Sequence, residues 1–349
     1  MSFAPTTGQE TVEVPQWLPI WQWPSMPEYN CSRVRPTGAE WTALKGHAHT
    51  ILGCWSVFWG VMCEISYVPC IYGLYMERKH ACYRIMLWLA IIDIIAILCN
   101  SIGFGFFLIE GTVFCSRPWT VWIVGCVGLG MWCGACIGCL LLVTYRIFEL
   151  MNMSKRFESR TNTLIVFATC YALYFAFLTP PILMNSEHNA MFYDPFIGDI
   201  PAHVYVNWPH TANNLLIVMT SASFYIFLIV VLLTKQGAMS SAAGRARMSA
   251  NAPIFVQASL ICVFNVAASL EYIYMNFFPT PQILIELGHI SWQISHGVPP
   301  FIYLLLNKTV KKHCKHLFGK KKKKINASRL SLTTNISNWK TRNVTKRTY

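Results

Sequence analysis

The chain has 349 residues, of which 54% are apolar, 14% aromatic and only 12% charged, about half the charged share of an ordinary soluble domain, with a mean hydropathy of +0.40. These figures exclude a disordered, collagenous or coiled-coil chain and a small disulfide scaffold, leaving an integral membrane protein or an unusually apolar core. The formal charge of +13 would suit a nucleic-acid binder only if its cations formed one binding surface, so their placement decides.

Seven runs are long and apolar enough to cross about 30 Å of hydrocarbon as helices: residues 51–76, 85–108, 119–145, 164–184, 213–233, 254–278 and 283–306. They predict an all-α fold with three parts: an N-terminal segment, 1–46; a seven-helix domain, 47–307; and a cytoplasmic helix and basic tail, 308–349. Of the 28 Lys and Arg residues, only Arg33, Arg35, Lys45 and Arg117 fall on one side. The positive-inside rule therefore predicts an outer N-terminus and a cytoplasmic C-terminus, and the nucleic-acid reading lapses.

The first 32 residues carry no Lys or Arg, so no cleavable signal is expected and the first span serves as its own insertion signal. Asn30-Cys31-Ser32 is the single sequon on the predicted outer side, making Asn30 the expected glycan site. The sequons at Asn152, Asn307, Asn326, Asn335 and Asn343 are expected to stay bare. Cys31 and Cys115 are the two cysteines predicted to face outward, where an oxidising compartment favours a disulfide; two free thiols are the alternative. The other cysteines read as small apolar packing residues, including Cys133, Cys136 and Cys139, which lack a fourth metal ligand. Neither a metal nor another cofactor is expected.

Within the spans, Glu64 and Asp93 stand out because an ionisable group in hydrocarbon is costly and usually faces the bundle interior with a partner. Asp93 reads either as a hydrated ion or proton site or as a structural hydrogen-bond anchor. Span 3 carries Gly130, Gly134 and Gly138 at four-residue spacing, a stripe that lets another backbone approach. In span 7, His289, Gln293 and His296 share one helical face, which predicts either ligand-pocket lining or interhelical hydrogen bonding. No lysine occurs in the seven spans except Lys235 at the inner border of span 5, which excludes a retinal Schiff base.

On the cytoplasmic side, Arg146 ends span 3 and Pro299-Pro300-Phe301-Ile302-Tyr303 kinks the end of span 7. Val310, Cys314 and Leu317 recur at helical spacing among basic residues, predicting a short amphipathic helix on the inner leaflet with Cys314 as a palmitoylation candidate. The uninterrupted run 320–324 of lysines predicts binding to anionic inner-leaflet lipids. Segments 237–251 and 328–348, rich in Ser and Thr beside basic residues, read as flexible or phosphorylated.

These landmarks resemble the nematode serpentine receptors of class T. The likeness rests on Tyr29-Asn30-Cys31-Ser32, Tyr67-Val68-Pro69-Cys70-Ile71, Phe114-Cys115-Ser116, Gly125-Cys126-Val127-Gly128-Leu129, Trp132-Cys133-Gly134 and Tyr145-Arg146-Ile147. The resemblance implies rhodopsin-like architecture and a G-protein-coupled receptor of chemosensory neurons, in the plasma membrane or sensory cilia, answering an environmental small molecule. It further implies that Arg146, with Tyr145 before it, and Pro300 with Tyr303 act as activation switches for a heterotrimeric G protein. Four features depart from the wider rhodopsin-like pattern. Tyr145 stands where an acid precedes the arginine, Pro299 where an asparagine precedes Pro300, span 6 lacks a Trp-x-Pro hinge, and the segment after span 4 lacks its cysteine. Residues 237–257 hold no acid, so no latch from Arg146 to span 6 is expected.

Three other readings compete: a ligand-gated channel or transporter built on Glu64 and Asp93, a peptide receptor, and a membrane hydrolase using His188, His203, His210, Asp194 and Asp199. No metal spacing supports the hydrolase, so no enzyme activity is expected.

Overall fold

Long apolar runs become helices in a membrane because every backbone N–H and C=O must be satisfied within its own segment. The computed structural model describes Trp17, Pro19 and residues 26–34, 38–151, 153–198, 200–238 and 242–317. A short helix α1 (Ala39–Lys45) precedes span 1, α2 (Thr50–Met76); span 2 is α3 (Ala81–Ile97), a π-helical turn (Leu98–Gly103) and α4 (Phe104–Glu110). Spans 3 to 6 are α5 (Pro118–Leu150), α6 (Ser154–Leu178), α7 (Trp208–Ala238) and α8 (Ala242–Phe277). Span 7 divides into α9 (Gln282–Gly297) and α10 (Pro299–Leu306), and a further helix, α11, covers residues 308–317.

Five of these segments, α2, α3 through α4, α5, α6 and 256–277 of α8, are long and apolar enough by themselves to cross a membrane, judged among the described residues. Span 7 misses that length because it breaks at Val298, just before two prolines that take the first positions of α10. Burial ranks the spans: 83% of the apolar window of α5 lies inside the bundle against 28% of that of α2, so α5 is the central helix and packs against α3, α6, α7 and α8. Ile65 and Val68 of α2, Val166 and Phe167 of α6, and Met219 and Ile226 of α7 point outward. In water such patches would be a liability; against lipid they are the solvated face.

The glycine stripe of α5 is used along its length. A Cβ on Gly130 would lie 2.6 Å from the Ala176 Cβ, whereas one on Gly138 would lie 2.4 Å from Leu89 Cδ2. The upper stripe thus admits α6 and the lower one α3.

Three differences from the sequence expectations have physical causes. Span 4 ends at Leu178 rather than near 184, because Pro180 and Pro181 cannot continue the ladder. The next residues instead form a hairpin of β1 (Leu183–Asn185) and β2 (Ala190–Phe192), with Leu183 opposite Phe192. Its turn is built by Asn185, whose Oδ1 accepts from the N–H of Glu187 (2.9 Å) and His188 (3.2 Å), and by Asn189 at φ 51°, a left-handed position that asparagine tolerates. Thirdly, most of 237–251 is helix, because α8 starts at Ala242. The predicted tail features, including Lys320 to Lys324, Asn326, Asn335 and Asn343, lie outside the described residues, as does Asn152.

At one end of the bundle, a disulfide joins Cys31 to Cys115 with their Cα atoms 5.6 Å apart. It holds Tyr29 in an aromatic cluster with Trp122 (ring centroids 5.1 Å) and Tyr205 (5.6 Å). Asn30 caps the adjoining turn by accepting from the Ser32 N–H at 2.9 Å. At the opposite end, α11 turns back under the bundle.

Candidate functional site

The described residues enclose a cavity of about 310 Å³ at the disulfide end. α5 contributes Leu129 and Trp132, α7 His210, α8 Tyr272 and Asn276, and α9 His289 and Trp292; the hairpin closes over it with Met191, Phe192 and Tyr193. The hairpin is held by a bridge between Val113 and Asn185, by Asn189 Nδ2 donating to Glu286 Oε1 (3.0 Å) and by Gln282 Nε2 donating to the His188 carbonyl (2.7 Å). Beside it, burial raises the Asp194 carboxyl above its ordinary range.

Of the three span-7 residues expected to line a pocket, His289 does so. Its ring stacks on Phe104 with centroids 3.6 Å apart, and its Nε2 donates to the Asn100 carbonyl at 3.0 Å. Gln293 and His296 lie deeper and make interhelical hydrogen bonds instead. Gln293 Nε2 donates to Ser56 Oγ (2.6 Å) and to the same Asn100 carbonyl (2.8 Å). That carbonyl can serve two donors because the π-helical turn disrupts the regular i to i−4 ladder. Ser56 uses the next carbonyl, that of Ser101, at 3.1 Å.

One helical turn below, His296 Nδ1 lies 2.7 Å from Asp93 Oδ1, while the Tyr67 hydroxyl donates to Asp93 Oδ2 (2.7 Å) and contacts the His296 carbonyl (3.0 Å). All three residues are buried. Asp93 is therefore a hydrogen-bonded anchor joining spans 1, 2 and 7. Glu64 departs from expectation: it is half-buried, and its Oε1 has no hydrogen-bond partner among the described residues. Its place on the less buried span 1 leaves no interior donor within reach.

Toward the opposite end, the Pro300 carbonyl accepts from Cys70 Sγ (3.4 Å), and Tyr303 is buried with no described partner for its hydroxyl. Arg146, 5% exposed, pairs through Nη1 with Glu149 Oε2 (2.6 Å) and through Nη2 with Cys82 Sγ (2.6 Å). The Tyr145 ring lies beside the guanidinium and packs edge-on to Phe157. Glu149 was not among the residues singled out from sequence, although its i+3 spacing from Arg146 is a recognised pairing distance. Tyr67, Asn213 and Asn214 were also missed as site residues, and His210 was raised only as a candidate of the hydrolase reading; two adjacent amides opening an apolar span were the available signal.

Cys314 departs from the palmitoylation expectation. It is 8% exposed, and its thiol donates to the Pro69 carbonyl at 3.3 Å, so α11 turns this side of itself into the bundle. α11 is fastened further by His313 Nε2, which lies 2.8 Å from Glu77 Oε1; this hydrogen bond holds the Glu77 carboxyl below its ordinary range. No group of three or more His, Cys, Asp or Glu side chains suited to a metal occurs among the described residues.

Comparison with known proteins follows this geometry. Squid rhodopsin shares the fold with a TM-score of 0.62 over 86% of each chain at 12% identity. Serpentine receptor class T-55 of Caenorhabditis elegans is 24% identical over 267 residues, 75% of this chain and 70% of that protein. The family described as serpentine type 7TM GPCR chemoreceptor Srt matches residues 17–327, the whole seven-helix domain with parts of both flanks, and the chain belongs to that family of multi-pass membrane receptors.

Proposed function

We propose that the chain is a chemosensory receptor that binds an environmental small molecule in the cavity under the hairpin and activates a heterotrimeric G protein at the Arg146 end. The observation that carries this reading is the sharing of one carbonyl. Asn100 takes a hydrogen bond from His289, which lines the cavity, and another from Gln293, which leads toward the Asp93–His296–Tyr67 cluster. A ligand that shifts α9 therefore disturbs the polar contacts between spans 1, 2 and 7, and through α10 bears on Pro300 and Tyr303. The ligand acts by favouring one of two bundle arrangements.

Arg146 is the residue assigned to G-protein engagement, with Tyr145 beside it and Pro300 and Tyr303 as a second switch at the end of span 7. Its pairing with Glu149 and Cys82 marks an arrangement in which the guanidinium is occupied. In this reading the disulfide end is extracellular, Asn30 carries a glycan, the C-terminus is cytoplasmic and the receptor resides in the plasma membrane, including sensory cilia. Anionic inner-leaflet lipids are further partners. The groove lined by Arg78, Lys79 and Arg84 beside Leu87 and Trp88 offers cations next to an apolar wall, which suits a phospholipid head and chain.

The test is a small-molecule screen on cells expressing the full chain with a G-protein reporter, repeated with Arg146→Ala. The expected outcome is a ligand-dependent signal that this variant abolishes at matched surface expression. Persistent signalling by Arg146→Ala would overturn the role given to Arg146, and a ligand-evoked current in cells depleted of G proteins would favour a channel.

A further inference from the structure

We propose that the cavity selects an uncharged molecule with an apolar body and a hydrogen-bond acceptor, and that the Nδ1–H group of His210 reads that acceptor. This rests on the cavity being the receptor's ligand site.

The proton on His210 is placed by a chain of amides. Trp132 Nε1, which can only donate, lies 3.0 Å from Asn214 Oδ1, and Asn213 Nδ2 lies 3.1 Å from the same oxygen. Asn213 must therefore present its NH2 group to that oxygen, which leaves its own Oδ1 to accept from the Tyr171 hydroxyl at 2.9 Å. Asn214 therefore turns its NH2 group toward His210 Nε2, 3.3 Å away. An NH2 group donates, so Nε2 is the bare acceptor nitrogen of a neutral ring and the proton sits on Nδ1.

Nδ1 has no acceptor among the described residues, and neither the Tyr193 hydroxyl nor Trp292 Nε1 has a partner. All three belong to side chains that line this one cavity. His210 is also fixed in place: its backbone N–H donates to Asn207 Oδ1 at 3.0 Å, and its ring sits 5.7 Å from Tyr193 and 6.1 Å from Tyr272. A buried donor without an acceptor favours any ligand that supplies one.

Charge and size narrow the class. The lining contains no Asp, Glu, Lys or Arg, so an ammonium or carboxylate ligand would lose its hydration without gaining a counter-ion. Trp132, Tyr272, Trp292 and Phe192 supply aromatic walls for an apolar body, and about 310 Å³ sits at the small end of the roughly 300–1,000 Å³ range of ligand pockets. A ketone, ester, ether or ring nitrogen on a compact hydrocarbon meets all of these conditions.

The experiment uses the purified full chain in detergent and reads binding by thermal shift, independently of any G protein. The probes are matched sets carrying a ketone, hydrocarbon, ammonium or carboxylate head on phenyl, naphthyl and heptyl bodies, with acetophenone and cumene as the first pair. At least one ketone is expected to bind about tenfold more tightly than its hydrocarbon, with both charged heads weakest. His210→Phe removes the ketone preference, read as the ratio of ketone to hydrocarbon affinity, and His210→Gln, which restores an N–H donor, recovers part of it. Equal binding of ketone and hydrocarbon, preference for a charged head, or failure of every ketone to bind would overturn the proposal.

Nitrogen-15 NMR of labelled histidines in the unmodified chain, with His210 assigned by difference from His210→Gln, tests the tautomer without relying on the folding of His210→Phe. A proton on Nε2 also overturns it. Selective ketone binding without a G-protein response supports this inference and defeats the receptor reading, so the two fail separately.

Discussion

A single buried contact separates the arginine of this receptor from the pattern it was compared with. Tyr145 occupies the place where an acid would precede Arg146, and the acid is supplied one turn later by Glu149, at 2.6 Å. If that pair holds Arg146 away from a G protein, Glu149→Gln raises signalling in the absence of ligand, measured as basal reporter activity at matched surface expression; unchanged basal activity would contradict it. The Asp93–His296 pair makes a second prediction. Leaving a buried hydrogen-bonding group unsatisfied typically costs about 1–3 kcal/mol, so His296→Ala should lower the melting temperature of the purified chain more than Asp93→Asn, which retains a hydrogen-bonding head. At this scale the sequence was partly informative: a lone Asp in an apolar run announces itself, and a row of polar groups on span 7 follows from helical spacing. Which of them reaches a cavity was not legible, because the π-helical turn at 98–103 sets the facing of spans 2 and 7, and nothing in Leu98-Cys99-Asn100-Ser101 distinguishes a π turn from an α turn.

At the scale of elements, close backbone approach is the main constraint. Gly53 and Gly105 face each other so closely that a Cβ on either would lie 2.6 or 2.7 Å from the other's carbonyl oxygen, pinning α2 against α4. Gly130 plays the same part between α5 and α6. Gly130→Val is expected to destabilise by about 1–3 kcal/mol through overpacking, seen as a lower melting temperature, whereas the exposed Val166→Leu on α6 should be neutral. The glycine stripe could be recognised from its four-residue spacing, but its division between two neighbours could not. The proline break of span 7 at Val298 was legible, whereas the end of span 4 at Leu178 was missed although Pro180 and Pro181 set it, because the apolar stretch of Ile182, Leu183 and Met184 beyond them reads equally as membrane helix or strand.

For the whole molecule, the seven apolar runs already carried the architecture, since they follow from solvation by lipid rather than from side-chain packing, while the distribution of Lys and Arg bears on orientation. Orientation has a direct check. Glycosidase treatment of the expressed chain should sharpen and shift its electrophoretic band, Asn30→Gln should abolish that shift, and substitution of Asn307 should not; a shift surviving Asn30→Gln would reverse the topology. The segment 185–211 has no cysteine, and Cys115 is joined to Cys31. The disulfide at this end therefore secures the N-terminal segment, while the hairpin above the cavity is retained by noncovalent contacts: the hydrogen bonds through Val113, Asn189 and Gln282 and the packing of Leu183 and Met184. Contacts of that kind break and re-form without chemistry, so under the proposed function a ligand in the cavity would be retained by the hairpin's closure, and residence time would be tunable at residues that never touch the ligand.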